Sequence, residues 1–500
     1  MAALDTITDI STLLDRWKEA ERLHQNPVEI LERIADVVET EYEVFLKSDP
    51  DPFDDRHPAR SDPNCTYAHV LKSLSKCENL VDVILNSYLM ATRWDVKLCC
   101  VASRLMFDLM CVLEMEQIFQ ETEGLLLRLY DWAENGEEPL RSYSLGLIGI
   151  AMGMQDFTSS HRENNSHLVP IVINRLKSLK DLRDLSQPAV TEFPKPKMTS
   201  RNKNNGKSNG SNKNKKESNL ENSISTPETS SKASQSASRK DSKKVRQSLR
   251  PSSFKLNPLT LSAQIRLMLR YLTPLGEYQE FLQVAFELDV RSMVTHFINT
   301  KHIGEDGVIF QALQYLTSLM CHKKFAEEFV SHGGIERLLQ IPKPSTSATA
   351  VSCCFYYLAY VEDAVEKICL LPHPVLTEVV KYVLWLLECS HNSGRCYATI
   401  FFSVTFSFRA ILSLFDANDG LRKLINMLST LEILTESAEV LSDDDLFDSR
   451  QTVKHTCMAL RRYFDTQVAL KAEILRRSLA RSRGGVPPTP TVPYKSMMIT

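Results

Sequence analysis

The chain lacks the local patterns of an ordinary protein kinase, of nucleotide-binding loops and of paired-cysteine metal sites. It has no glycine-rich phosphate loop, no V-A-x-K strand, no D-F-G and no H-R-D, so the parts that hold and transfer a nucleotide phosphate in an ordinary protein kinase are missing. His161-Arg162-Glu163 comes nearest, but Glu stands where Asp is required and no Asn follows at the needed offset. P-loop and dinucleotide fingerprints are absent as well. Twelve cysteines form no C-x-x-C pair, and the opening MAALDTITDISTLLDRW is acidic and polar rather than an apolar signal segment. Reduced thiols in the cytosol or nucleus are therefore expected. No apolar run reaches the length needed to span a bilayer.

What is present is enough apolar material for large cores: 43% hydrophobic residues in a chain of 500. Its densest stretch runs from Tyr382 to Leu434. Phe401, Phe402, Phe406, Phe408 and Phe415 put five rings into the sixteen residues from 400 to 415, with Arg409 as the one charge among them. Each buried ring contributes roughly 1.5–3 kcal/mol, so this segment needs an apolar partner surface. Phe402, Val404, Phe406 and Phe408 alternate with polar residues as a strand would. The flanks decide for helix, because Val379, Val383, Leu386 and Leu387 before it and Leu421, Leu424, Ile425 and Leu428 after it recur at helical spacing. A lone strand among helices would leave its ladder groups unpaired, so the segment is predicted to be helical, with Ser and Thr hydroxyls bonding back to the preceding turn.

The same periodicity runs along most of the chain. It predicts an all-α, armadillo- or HEAT-like helical solenoid in two blocks, residues 1–185 and 258–480, interrupted by a disordered basic linker at 186–257 and followed by a flexible, truncated tail at 481–500. The repeat signal is Gly334-Ile335-x-x-Leu338-Leu339 and Gly420-Leu421-x-x-Leu424-Ile425, with Pro374-Val375-x-x-x-Val379-Val380 between them in nearly the same register. From Ser48 to Cys65, four prolines and five aspartates interrupt the first block as a loop.

The linker is Lys, Asn, Ser and Gly rich and has too little apolar surface to offset chain entropy. Between Lys195 and Arg250 it carries 15 Lys and Arg against 4 Asp and Glu, an excess of 11 positive charges that leaves −14 on the remainder of a chain whose net charge is −3. It has no aromatic residue between Met198 and Ser253 on which bases could stack, which disfavours nucleic acid. Lys213, Lys215 and Lys216 followed by Arg239, Lys240, Lys243, Lys244 and Arg246 instead suit a two-cluster nuclear import signal, with a solvated spacer as the plain alternative.

Other clusters read better as structure than as chemistry. Cys389-x-His391-x4-Cys396 has metal-like composition but no fourth ligand, and is read as packed thiols flanking a polar turn. Asp416-Ala-Asn418-Asp419-Gly420 resembles a calcium loop with Met427 in the place of the bidentate Glu, and is read as an interhelical turn. The acidic loop Asp49, Asp51, Asp54, Asp55 is read as a solvated connection whose carboxylates cap helices and pair with Arg56. Ser442, ahead of Asp443-Asp444-Asp445, is an N-cap and a candidate for phosphorylation by an acid-directed kinase.

Several long strings resemble one known family. DPDPFDDRHPARSDP at Asp49–Pro63, YLTPLGEYQEFL at Tyr271–Leu282, FAEEFVSHGGIERLLQIPKPS at Phe325–Ser345, the stretch from Glu388 to Leu434 and LSDDDLFDSRQTVKHTCMALRRYF from Leu441 are similar to the N-terminal region of the Vpr-binding protein family. The resemblance covers nearly the whole chain except the linker. It implies an armadillo-like part of a longer substrate receptor for cullin-four RING ubiquitin ligases. A LisH motif, a WD-repeat propeller and an acidic tail are missing here, and the propeller would dock the damaged-DNA-binding adaptor and the cullin-four ligase. Trp94-Asp95-Val96-Lys97 echoes the propeller's W-D-x-R docking box but departs from it at Lys97 and falls in a helical stretch. The expectation is a non-catalytic scaffold for protein partners, ubiquitination substrates and self-association, with no catalytic residue, metal or cofactor and no membrane contact, in nucleus and cytoplasm. The atypical serine/threonine kinase activity described for the family, and nucleic-acid binding through the linker, are the alternatives.

Overall fold

The computed structural model describes residues 2–186, 253–429 and 443–482, apart from residues 55, 56, 61, 63, 92–94, 123, 302 and 304. Among the described residues the regular structure is entirely helical. Eight helices form a ladder in which each packs along the next: Val28–Leu46, Val96–Leu109, Leu140–Ala151, Leu261–Leu275, Asp306–Met320, Thr346–Ala359, Asn392–Thr405 and Asp443–Ser482. Further helices flank it, among them Lys323–Ser331 against Glu362–Cys369 and His373–Cys389 against Gly420–Ser429. The fold is an all-α solenoid.

Sequence explains why the ladder helices lie at its centre. Thr346–Ala359 buries Ala348, Ala350, Ser352, Cys353, Cys354 and Phe355, small or apolar residues all round its girth, so it accepts neighbours on more than one side. Its start is fixed by Ser345, whose hydroxyl accepts from the Ala348 amide at 3.2 Å. Thr260 caps Leu261–Leu275 in the same way, accepting from Ala263 at 3.1 Å. The repeat spacing becomes physical in hydrogen bonds between successive units. Tyr382 donates to the Ile341 carbonyl 41 residues away, Ser352 to the Gly394 carbonyl 42 residues away, and His322 Nε2 lies 2.9 Å from the Gly276 carbonyl 46 residues away.

Two differences from the sequence reading stand out. The aromatic segment is not one helix: Asn392–Thr405 ends, Phe408 is extended at φ −95 and ψ 111, and Arg409–Ala417 begins anew. The break lets rings on both helices meet, with Phe402 and Phe406 lying 4.8 and 4.9 Å from Phe415. A continuous helix could not turn Phe415 back onto them. The hydroxyls do bond backward as expected, Thr399 to the Arg395 carbonyl and Thr405 to the Phe401 carbonyl, both at 2.8 Å. The second difference concerns residues 253–257, expected within the disordered linker. They lie packed against helices from both sides of it, with Leu256 buried.

Helices on either side of the linker also touch directly. A Cβ on Gly149 would stand 2.9 Å from the Tyr271 Cα and 3.1 Å from the Arg270 carbonyl, both backbone atoms with nowhere to move. Gly149→Ala should therefore force Leu140–Ala151 and Leu261–Leu275 apart and cost about 1–3 kcal/mol, despite alanine's better helix propensity. Thermal unfolding of the variant beside wild type checks this, and an unchanged or raised midpoint contradicts it.

Candidate protein-interaction surface

The acidic loop after Leu46 meets a helix that lies far along the chain. The Asp51 carboxylate accepts from the Ser393 amide at 2.8 Å and from the Ser393 hydroxyl at 2.6 Å, in the first turn of Asn392–Thr405. A carboxylate suits that position because the first turn leaves amides unbonded and carries partial positive charge. Beside it, His391 Nε2 lies 3.2 Å from the Asp49 carbonyl and 3.4 Å from its carboxylate, while Nδ1 lies 2.8 Å from Thr349 Oγ1. The capping role read for this loop is correct in kind, but the capped helix is one 342 residues away. Arg56, the expected pairing partner, lies outside the described residues.

This junction should respond to pH. Burial of the His391 ring opposes its charge, but the hydrogen bond to Asp49 and the charges of Asp49 and Asp51 outweigh it, so the pKa is raised above its ordinary value. A folded-state pKa above the unfolded one gives a contribution fully present below about pH 6.5 and lost as pH rises through the folded value. Proteolytic cleavage within residues 47–54 should accordingly quicken between pH 6 and pH 8 in wild type. In His391→Gln the rate should hardly change over the same interval.

The loop carries Phe53 onto one face of the ladder, where it begins a run of rings. Phe53 lies 5.7 Å from both Phe310 and Tyr397, Tyr397 lies 5.2 Å from Tyr356, and Tyr356 lies 5.0 Å from Tyr357 and 5.2 Å from Tyr360. All but Tyr360 are half-buried, and Tyr360 is 61% exposed. Burial raises the pKa of Tyr356, Tyr357 and Tyr397, so these phenols stay protonated at ordinary pH and present rigid rings with a polar tip. Such rings give large contact area at little entropic cost, which is why tyrosine is enriched where proteins bind one another. The sequence reading passed over this face. Its signal is Tyr356, Tyr357 and Tyr360 in a helix otherwise made of small and apolar residues.

The residues singled out by sequence are scattered. Lys213, Lys215, Lys216, Arg239, Lys240, Lys243, Lys244, Arg246 and Ser442 all lie outside the described residues, as does Trp94. Asp95 is not inside a helix but caps one, accepting from the Lys97 and Leu98 amides. Cys389 is exposed and Cys396 half-buried, so the former is not a packed thiol, and His391 between them is engaged by Thr349 and Asp49. Among the described residues no group of three metal-ligating side chains comes together. Asp416 anchors the last ladder helix, accepting from Tyr463 at 2.8 Å and Gln467 at 2.6 Å.

Comparison with known proteins connects this architecture to a family. Residues 2–111 match the DCAF1 N-terminal domain, residues 135–372 the Mahjong helical domain and residues 453–500 the DCAF1 helical domain. Protein mahjong of Drosophila melanogaster is 36% identical over 493 residues, covering 93% of this chain and 32% of that protein. The DDB1- and CUL4-associated factor homolog 1 of Caenorhabditis elegans is 32% identical over 484 residues, 90% of this chain and 28% of that protein. Its Arabidopsis thaliana namesake is 35% identical over 225 residues, 43% of this chain and 12% of that protein. The chain thus spans about a third or less of the length of the curated relatives it matches. Three family matches in order along the chain, and relatives aligned on both sides of the linker, lead to one assignment: the chain belongs to the Vpr-binding protein family, the family of DCAF1.

Proposed function

We propose that this chain is a non-catalytic recognition scaffold, the N-terminal part of a substrate receptor serving a ubiquitin ligase built on DDB1 and CUL4. The observation that carries this reading is the alignment of 90% of the chain with a protein named as a DDB1- and CUL4-associated factor homolog. The solenoid supports it, since stacked helices present an extended surface, and the Tyr356, Tyr360 and Tyr397 face is the part of that surface suited to proteins. The basic clusters at Lys213, Lys215, Lys216 and at Arg239, Lys240, Lys243, Lys244, Arg246 would serve nuclear import, giving a protein shared between nucleus and cytoplasm.

The test is made in the full-length protein in cells. Tyr356→Ala with Tyr360→Ala should leave recovery of DDB1 and CUL4 unchanged while reducing recovery and ubiquitination of a subset of client proteins. Identical clients for variant and wild type would remove the aromatic face from the reading. Failure of the wild type to recover DDB1 would remove the ligase role itself.

A further inference from the structure

Where the linker rejoins the solenoid, residues 253–257 are held like a bound peptide. The Ser253 hydroxyl donates to Glu43 Oε1 at 2.8 Å and the Phe254 amide to the same oxygen at 3.0 Å. One turn earlier on the same helix, Glu39 Oε2 accepts from the Leu256 amide at 3.0 Å. Tyr143 donates to the Leu256 carbonyl at 2.7 Å, and Arg266 donates to the Ser253 carbonyl at 2.8 Å. The Phe254 ring meets Tyr42 edge-on at 5.4 Å with the Arg266 guanidinium 4.6 Å from its centre. The segment therefore fastens helices Val28–Leu46 and Leu140–Ala151, which precede the linker, to Leu261–Leu275, which follows it.

Two carboxylates supply the acceptors for its hydroxyl and amides, so this seat tolerates neutral donors and repels a negative charge. Ser253 is itself exposed, and the sequence places Arg250 three residues before it and Phe254 immediately after. That pattern is a substrate for kinases whose own acidic residues read an upstream arginine.

We propose that Ser253 is a phosphorylation site for an arginine-directed serine/threonine kinase, and that phosphate there releases the 253–257 clasp. In the transfer, Ser253 Oγ attacks the γ-phosphorus of ATP as its proton passes to the kinase's base. The new Oγ–P bond forms as the bond from that phosphorus to the bridging oxygen of ADP breaks. The product places close to two negative charges beside Glu43, where a hydroxyl donor had been, and the phosphate has no proton left to donate at neutral pH. Repulsion lifts Ser253 and Phe254, and the Leu256 amide then leaves Glu39.

The experiment treats the whole chain with ATP and an arginine-directed kinase, maps the phosphate by mass spectrometry, and follows amide hydrogen exchange. Phosphate is expected on Ser253, with exchange at Phe254 and Leu256 at least about tenfold faster. Ser253→Asp should speed exchange in the same direction without kinase. Ser253→Ala should leave both amides protected, because they bond to the glutamates independently of the hydroxyl. No phosphate on Ser253 overturns the site. Phosphate on Ser253 with protection unchanged, or increased because Arg266 captures it, overturns the release.

Discussion

Replacing Arg104 with methionine lowers the unfolding free energy by about 3–5 kcal/mol, read as a shift in the denaturation midpoint. Arg104 and Glu39 are each 2% exposed, and they meet through two parallel bonds, Nε to Oε1 at 2.7 Å and Nη2 to Oε2 at 2.8 Å. Asp36 adds a third contact to Nη2 at 2.7 Å. Burial works against the Arg104 charge, but these carboxylates outweigh it and raise its pKa, so the guanidinium stays charged. Without it, Glu39 is a buried carboxylate whose remaining acidic neighbours only repel it. Asp108 sits nearby with Oδ2 buried and lacking a hydrogen-bond partner, and burial, together with Glu39, raises its pKa well above the ordinary carboxylate range. A carboxyl with a raised folded-state pKa costs stability as pH climbs past about 3.9. Asp108→Asn should therefore be tolerated and should flatten the decline, whereas Arg104→Met removes the guanidinium that both Glu39 oxygens bond and should not be tolerated. A midpoint for Arg104→Met within experimental error of wild type would show the pair to be dispensable.

The contrast between Arg104 and the aromatic segment shows what the sequence makes legible. Helix faces such as Leu31, Ile34 and Val38, or Ile265, Met268, Leu269 and Leu272, are set by local spacing, and each is buried as that spacing requires. The repeat register is legible for the same reason, because each unit of the solenoid meets mainly its neighbours. Arg104 could have been noticed as a charge in a largely apolar helix, yet its partners on Val28–Leu46, Glu39 and Asp36, are 65 and 68 residues away. Docking of Asp51 on Ser393 and the clasp at Ser253 depend on contacts over hundreds of residues, which no local window contains. The break at Phe406 to Phe408 was hidden by a real ambiguity. Alternating Phe with Ser and Thr satisfies the period of a strand, and only convergence of Phe402, Phe406 and Phe415 shows why the chain bends there.

Phe415→Ala should cost about 3–5 kcal/mol, the second large effect, since this ring is fully buried and touches Phe402, Phe406 and Tyr463. It also explains the glycine that opens the repeat motif. A Cβ at Gly420 would stand 2.5 Å from the Phe415 ring, and one at Gly334 would stand 2.4 Å from the ring of Phe329, in each case five residues earlier. The recurring Gly-x-x-x-Leu pattern is thus half of a steric pair, with glycine leaving the space that the phenylalanine fills. Gly420→Ala alone should cost about 1–3 kcal/mol by overpacking. In the double variant the ring is gone and the added methyl enters vacated space, so the combined loss should fall short of the sum by about 0.5–3 kcal/mol. Strict additivity in that cycle, measured by denaturant unfolding of the four proteins, would mean that Gly420 answers to its backbone alone and that the repeat signal has another origin.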